Sequence, residues 1–172
     1  NQSDYDYSSG ILYSAAGDNE LGKITDVKTT SPSSEVAISV KIGNRQISAV
    51  RANTNTTNRI FVGTEGGQIF KIDDANLAEP SVTDITSNIL TIGNVSSIDV
   101  GSSDMELIVT FSNFGVTSVW HSTDGGTTWV NKDDTGHGLP NIPIRWALFN
   151  PNNTKQVLLA TELGVWSTND IT

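Results

Sequence analysis

The sequence predicts an all-β fold, a β-propeller segment of about three to four four-stranded blades that forms part of a larger propeller. Three observations predict it. A unit of short apolar strand, glycine-containing turn and second apolar strand recurs four times. No segment of useful length carries the 3.6-residue period of an amphipathic helix. The polar residues are mostly Ser, Thr and Asn, as in TNTTN at 54–58 and NPNNT at 150–154. These side chains compete with helical hydrogen bonding and favour turns between strands.

The elements follow in order. ILYSAA (11–16) leads to LGKI (21–24) and then to a strand at 36–42, a partial blade over about 9–42. ISAVRA (47–52), IFVGT (60–64), QIFK (68–71) and a strand at 81–85 make a blade over about 47–86. VSSIDV (95–100), LIVTF (107–111), VTSVW (116–120) and a strand at 127–130 make a third over about 95–131. IRWALF (144–149), VLLAT (157–161) and GVWS (164–167) make a partial fourth over about 144–172. The repeated strands start at 11, 60, 107 and 157, spacings of 49, 47 and 50 residues. Four short strands in about 40–50 residues is the period of a propeller blade. Pro140, Pro143 and Pro151 fall between strands, where a missing N–H does no harm. An immunoglobulin-like sandwich gives no reason for this repeat.

Residue 11 enters at the second strand of a blade and residue 172 follows the third, about three and a half blades against the usual 4–8 or so. Open strand edges are avoided by soluble proteins. The expectation is therefore a propeller completed by the rest of a longer chain or by other subunits. Its alternative is a small four-bladed ring closed by the termini. The start at Asn1, without initiator Met or signal-peptide stretch, fits a processed or excised product.

Composition excludes several classes of function. The 172 residues include no cysteine, which removes disulfide frameworks, thiolate zinc sites, iron–sulfur clusters and cysteine nucleophiles. Ten basic against nineteen acidic residues give a net charge of −9, a poor match to a phosphate backbone, so no nucleic acid is expected. No apolar run approaches the ~20 residues of a membrane helix, so no membrane insertion is expected. Low charge and abundant Ser, Thr and Asn fit an extracytoplasmic bacterial protein.

The most informative motif is STDGGTTW at 122–129. It carries Ser/Thr-x-Asp-x-Gly-x-Thr-Trp through Ser122, Asp124, Gly126, Thr128 and Trp129. The physical logic is a self-capped hairpin turn. Ser and Asp side chains bond the turn backbone, glycine permits positive φ, and the Trp ring packs over the turn. Ser167-Thr168-Asn169, Asp73 and Asp26 are weaker echoes in the other repeats.

On these residues the chain resembles the Asp-box (bacterial neuraminidase repeat) propellers, whose relatives include sialidases, xyloglucan-cleaving glycoside hydrolases and the sortilin ectodomain. GLPN (138–141), FNPN (149–152) and LGVWS (163–167) look like repeats of large secreted or surface proteins of Bacteroidetes-type bacteria. The resemblance implies the fold and an extracellular setting. It implies no reaction, since the Asp-box of these families is structural and lies away from the catalytic centre.

A glycosidase needs two carboxylates across a cleft. The candidates are Asp18, Glu20, Glu65, Asp104, Glu106 and Glu162. Asp18, Glu65 and Glu162 recur at similar places in three repeats, which points to a repeated turn rather than a unique acid. The arginines, Arg45, Arg51, Arg59 and Arg145, lie in no recognisable sialidase motif. Asp133-Asp134-Thr135-Gly136-His137 holds two carboxylates and an imidazole in one loop, weighed as a cation site and read as a polar connection. His121 reads as a packed or hydrogen-bonded histidine. Trp120, Trp166 and Phe70 hold equivalent core positions, and Trp146 reads as core, with Ile144 and Leu148 on its face. Tyr5, Tyr7 and Tyr13 could form a sugar-stacking platform.

These observations favour a non-catalytic scaffold or binding propeller of a large secreted or surface-attached protein that engages protein or glycan. No catalytic residue, metal ligand or cofactor is assigned. The alternatives are part of a xyloglucanase-like glycoside hydrolase and a sortilin-like peptide-capturing propeller.

Overall fold

The computed structural model describes residues 2–17, 19–25, 27, 36–40, 42, 45–89, 92–133 and 139–172, without the side chains of 36 and 37. Fifteen strands form four antiparallel sheets among the described residues, and no helix is found there. Sheet 1 is β1 (Ser3–Asp6), β2 (Ile11–Gly17), β3 (Glu20–Ile24) and β4 (Val36–Ser39). Sheet 2 is β5 (Ile47–Ala52), β6 (Ile60–Thr64), β7 (Ile69–Asp73) and β8 (Ser81–Asp84). Sheet 3 is β9 (Val95–Val100), β10 (Leu107–Phe111), β11 (Val119–Ser122) and β12 (Val130–Asn131). Sheet 4 is β13 (Ile144–Asn150), β14 (Asn153–Thr161) and β15 (Gly164–Thr168). Each is a simple meander in sequence order.

Strand β1 is an element that the sequence reading did not assign. Its residues, Ser-Asp-Tyr-Asp, show no apolar alternation, yet Ser3 to Asp6 pair with Ser14 to Ile11 and complete sheet 1. The outermost strand of sheet 3 is only two residues long, because 123–129 is occupied by a turn.

The first strands meet in succession, β1 against β5, β5 against β9 and β9 against β13, so the sheets radiate from a common axis. Each sheet lays one face on the next, and the three buried clusters fill the three junctions. Tyr13 anchors the first junction, Phe61 the second and Ile108 the third, all fully buried. Burying an aliphatic or aromatic side chain of this size contributes about 1.5–3 kcal/mol. Close approach is specific at Gly63, where an added Cβ would fall 2.3 Å from Val95 Cγ1 on the next sheet.

The expected placement of Trp146 needs correction. Alternation put Ile144, Trp146 and Leu148 on one buried face. A register shift between Ile144 and Trp146 breaks that alternation, so Ile144 is buried with Ala147 and Phe149. Trp146 is half-buried and Leu148 is exposed, on a face of sheet 4 that no described sheet covers.

Candidate functional site

Polar side chains stitch the first strands together around the axis. Asp4 on β1, Arg51 on β5 and Asp99 on β9 occupy the same register position, opposite Tyr13, Phe61 and Ile108. The Arg51 guanidinium reaches Asp4 Oδ2 at 3.2 Å and Asp99 Oδ1 at 2.8 Å, joining three sheets. The same two carboxylates also accept backbone N–H groups across the junctions. Phe149 N–H donates to Asp99 Oδ2 at 2.8 Å, and Ala52 N–H donates to Asp4 Oδ2 at 3.0 Å. Ser48 and Ser96 hydroxyls donate to the carbonyls of Val95 and Ile144 at 2.8 and 2.6 Å. First strands have one unpaired ladder edge, and these side chains satisfy it across the junction.

Burial pushes the Asp99 carboxyl above its ordinary range, while Arg51 and the N–H groups of Phe149 and Val100 pull against it. Above the network lies a cavity of about 390 Å3 between sheets 2, 3 and 4. Arg51 and Asp99 form its charged part, Asn55 and Ser102 supply amide and hydroxyl groups, and Phe149 and Pro151 give an apolar wall. Mixed donors and acceptors beside a flat apolar wall suit a hydroxyl- or amide-bearing ligand.

A second network fixes the loops over this end of the sheets. Asp104 accepts hydrogen bonds from Asn53, Thr56 and Arg59, and Arg59 also pairs with Asp73. Burial raises the Asp104 carboxyl, and the Thr56, Asn53 and Arg59 partners outweigh it, so it lies below the usual carboxylate range.

The octapeptide 122–129 comprises the last residue of β11 and the turn that leads to β12. The Ser122 hydroxyl donates to Asp124 Oδ1 at 2.9 Å and accepts from Gly126 N–H at 2.9 Å. Thr128 donates through N–H to Asp124 Oδ1 at 2.8 Å and through its hydroxyl to Oδ2 at 2.7 Å. These Thr128 bonds favour the ionised form and hold the Asp124 carboxyl below its ordinary range. Gly126 has φ +88°, and Trp129 is buried within the core between sheets 2 and 3.

The other sequence candidates scatter. Glu65 and Glu162 sit in the turns after β6 and β14, and Arg145 Nε donates to Glu162 Oε1 at 2.7 Å on the surface. Glu20 begins β3, exposed. Glu106 Oε2 accepts from Ser102 N–H at 3.1 Å, and its other oxygen lies 4.0 Å from Nε2 of buried His121. Burial lowers the His121 pKa, Lys132 adds to this and Glu106 opposes it. Asp133 accepts from Ser118 N–H at the foot of sheet 3. Asp18, Asp26 and residues 134–138, with His137, lie outside the described residues. Tyr5 and Tyr7 rings meet edge-on at 4.8 Å, while Tyr13 is buried, so the three form no common platform.

No protein-family model matches the chain, and no curated protein matches its sequence. Solved structures do match. YCF48 from Cyanidioschyzon merolae has a TM-score of 0.71 at 16% identity, over 97% of this chain and 49% of its own. The GH74 enzyme of Niastella koreensis also has 0.71, at 20% identity, over 99% of this chain and 29% of its own. A chain of the mitotic checkpoint complex has 0.64 at 14% identity, over 99% and 50%. All three are β-propeller proteins.

The chain is a β-propeller segment. It spans 49% of the YCF48 chain and 29% of the GH74 chain, so each sheet is a blade and the four blades match part of a larger propeller. The axial network of this propeller segment was not foreseen from sequence. Its one signal is a charged residue at an equivalent place in three first strands, Asp4 in the polar β1 and Arg51 and Asp99 among the apolar and small residues of β5 and β9.

Proposed function

We propose that the chain is a non-catalytic binding and scaffold unit of a larger secreted or surface-attached bacterial propeller protein, and that it engages a glycan or protein segment at the axial cavity. The observation that carries this is the engagement of the carboxylates beside the cavity. Asp99 holds Arg51 and Phe149 N–H, and Asp104 holds Asn53, Thr56 and Arg59. Carboxylates that fix strands and loops are poorly placed to exchange protons with a substrate, whereas a general acid needs a free, tunable carboxyl. The STDGGTTW turn, read as an Asp-box, supports the same setting and serves the fold rather than chemistry.

The test pairs binding with turnover. A glycan array and a peptide library are probed with the protein and with Ser102→Trp, which fills the cavity mouth. Soluble β-glucans are assayed for hydrolysis with the protein and with Glu106→Gln. Retention of a glycan or peptide, lost in Ser102→Trp and without hydrolysis, is expected. Hydrolysis abolished by Glu106→Gln would overturn the proposal in favour of a xyloglucanase-like glycoside hydrolase. Peptide binding alone would narrow it to the sortilin-like mode.

A further inference from the structure

The four blades obey one face code, and the fourth leaves it unanswered. Residues at i and i+2 of a strand share a face. In blades 1 to 3 the face turned toward the next blade carries a large residue at Tyr13, Phe61 and Ile108. Two residues on, it carries a small or slim one at Ala15, Gly63 and Thr110. Beside that position, the third strand carries Leu21, Ile69 and Val119. Tyr13, Phe61, Ile108, Leu21, Ile69 and Val119 are all essentially fully buried.

Blade 4 keeps the code with Leu158, Ala160 and Val165, yet Leu158 is 51% and Val165 75% exposed. Together with Trp146 and Leu148 they line a concavity of about 330 Å3 that is apolar at every position. A contiguous apolar patch of this kind marks an interaction surface. Its shape specifies the partner. At the equivalent Gly63, Val95 of the next first strand sits closer than any side chain would permit, so the small residue is a slot for a strand. Ala160 holds the same slot open. Leu148 stands where blades 1 to 3 carry Asp4, Arg51 and Asp99, so the junction is dry and uncharged.

Blade 1 of a second copy does not fit. Its outward face carries Ser3, Ser14 and Gly22 in one row. The corresponding rows of blades 2 and 3 are Val50, Val62, Phe70 and Ile98, Val109, Trp120. Packing Leu158 and Val165 on the serine row would take the Ser3 and Ser14 hydroxyls out of water against apolar side chains that offer them no hydrogen bond.

We infer that the face of Trp146, Leu148, Leu158, Ala160 and Val165 docks the first strand of a further β-blade that is not contained in these 172 residues, one with an apolar row in place of Ser3, Ser14 and Gly22. This deepens the reading of the chain as part of a larger propeller. Ligand binding at the axial cavity is measured separately and succeeds or fails on its own.

The absence of cysteine makes the test clean. Val165→Cys and Ala160→Cys are placed singly in the native polypeptide that carries these residues and in the 172-residue chain, with Leu163→Cys in the adjacent turn as the control. Thiol labelling at 165 and 160 is expected to be at least tenfold slower than at 163 in the native polypeptide, and comparable to 163 in the short chain. A benzophenone attached at 165 should crosslink to a strand outside these residues. Equal labelling at 165 and 163 in the native polypeptide would overturn the inference. So would protection arising only from a concentration-dependent dimer, or a crosslink to a second copy of this chain.

Discussion

The indole Nε1–H of Trp129 donates to the carbonyl oxygen of Ile85 at 2.8 Å, so the turn before the last strand of blade 3 is fastened to the chain leaving the last strand of blade 2. Asn88 completes the clasp. Its side chain accepts from Trp129 N–H at 2.9 Å and donates to Trp129 O at 3.0 Å. The turn therefore joins two blades as well as closing one hairpin.

Trp129→Ala removes a buried indole and strands the Ile85 carbonyl. A loss of about 3–5 kcal/mol is expected in denaturant unfolding. Trp129→Phe keeps most of the ring volume and loses the donor, for about 1–3 kcal/mol. Equal stability of the parent and the Phe variant would show that the indole hydrogen bond contributes nothing.

Gly126→Ala meets two obstacles. Its φ of +88° disfavours a Cβ, and that Cβ would lie 2.9 Å from Ile85 Cβ and Cδ1. Gly115→Ala shares a positive φ of +72° but opens into empty space. The Gly115 variant should lose about 1–2 kcal/mol from backbone strain alone, and the Gly126 variant clearly more. Comparable melting temperatures would remove the steric part of the argument.

Arg51→Met tests the axial network. Without the guanidinium, the buried Asp99 carboxylate has no cation, and its pKa rises beyond its already raised position. A folded-state pKa above the unfolded value stabilises the fold below the unfolded pKa and loses that contribution as pH rises through the folded pKa. The variant should therefore be most destabilised at neutral pH and recover toward the parent near pH 4. A pH-independent difference between the two would mean that Arg51 acts by packing alone.

The blades were legible because burial on both faces writes apolar runs at a regular spacing, so IFVGT and LIVTF announce themselves. β1 was not legible, since Ser3 to Asp6 owes its strand to pairing with β2 and to Asp4 and Asp6, which bond the next blade. The axial network was hidden for a related reason. Its partners lie 47 to 50 residues apart, and no local pattern links Asp4 to Arg51 or Asp99 to Phe149. The free face of blade 4 could be read only after register set Leu158 and Val165 at the positions that Phe61 and Ile69 hold in blade 2.

His121 gives the last prediction. It is buried at the junction of blades 3 and 4, its ring 6.1 Å from that of Phe149, and Nε2 has no hydrogen-bond partner among the described residues. Burial lowers its pKa, helped by Lys132 and opposed by Glu106, so the folded protein keeps the imidazole neutral where the unfolded chain protonates it. The contribution to stability is complete above the unfolded value of about 6.5 and declines as pH falls below it toward the depressed folded value. The parent should thus lose stability as pH falls below about 6.5, and His121→Gln should flatten that part of the profile. Urea midpoints across this range decide it. A parent whose midpoint is constant from pH 7 to 5, or a variant with the parent's slope, would assign the acid response to another group.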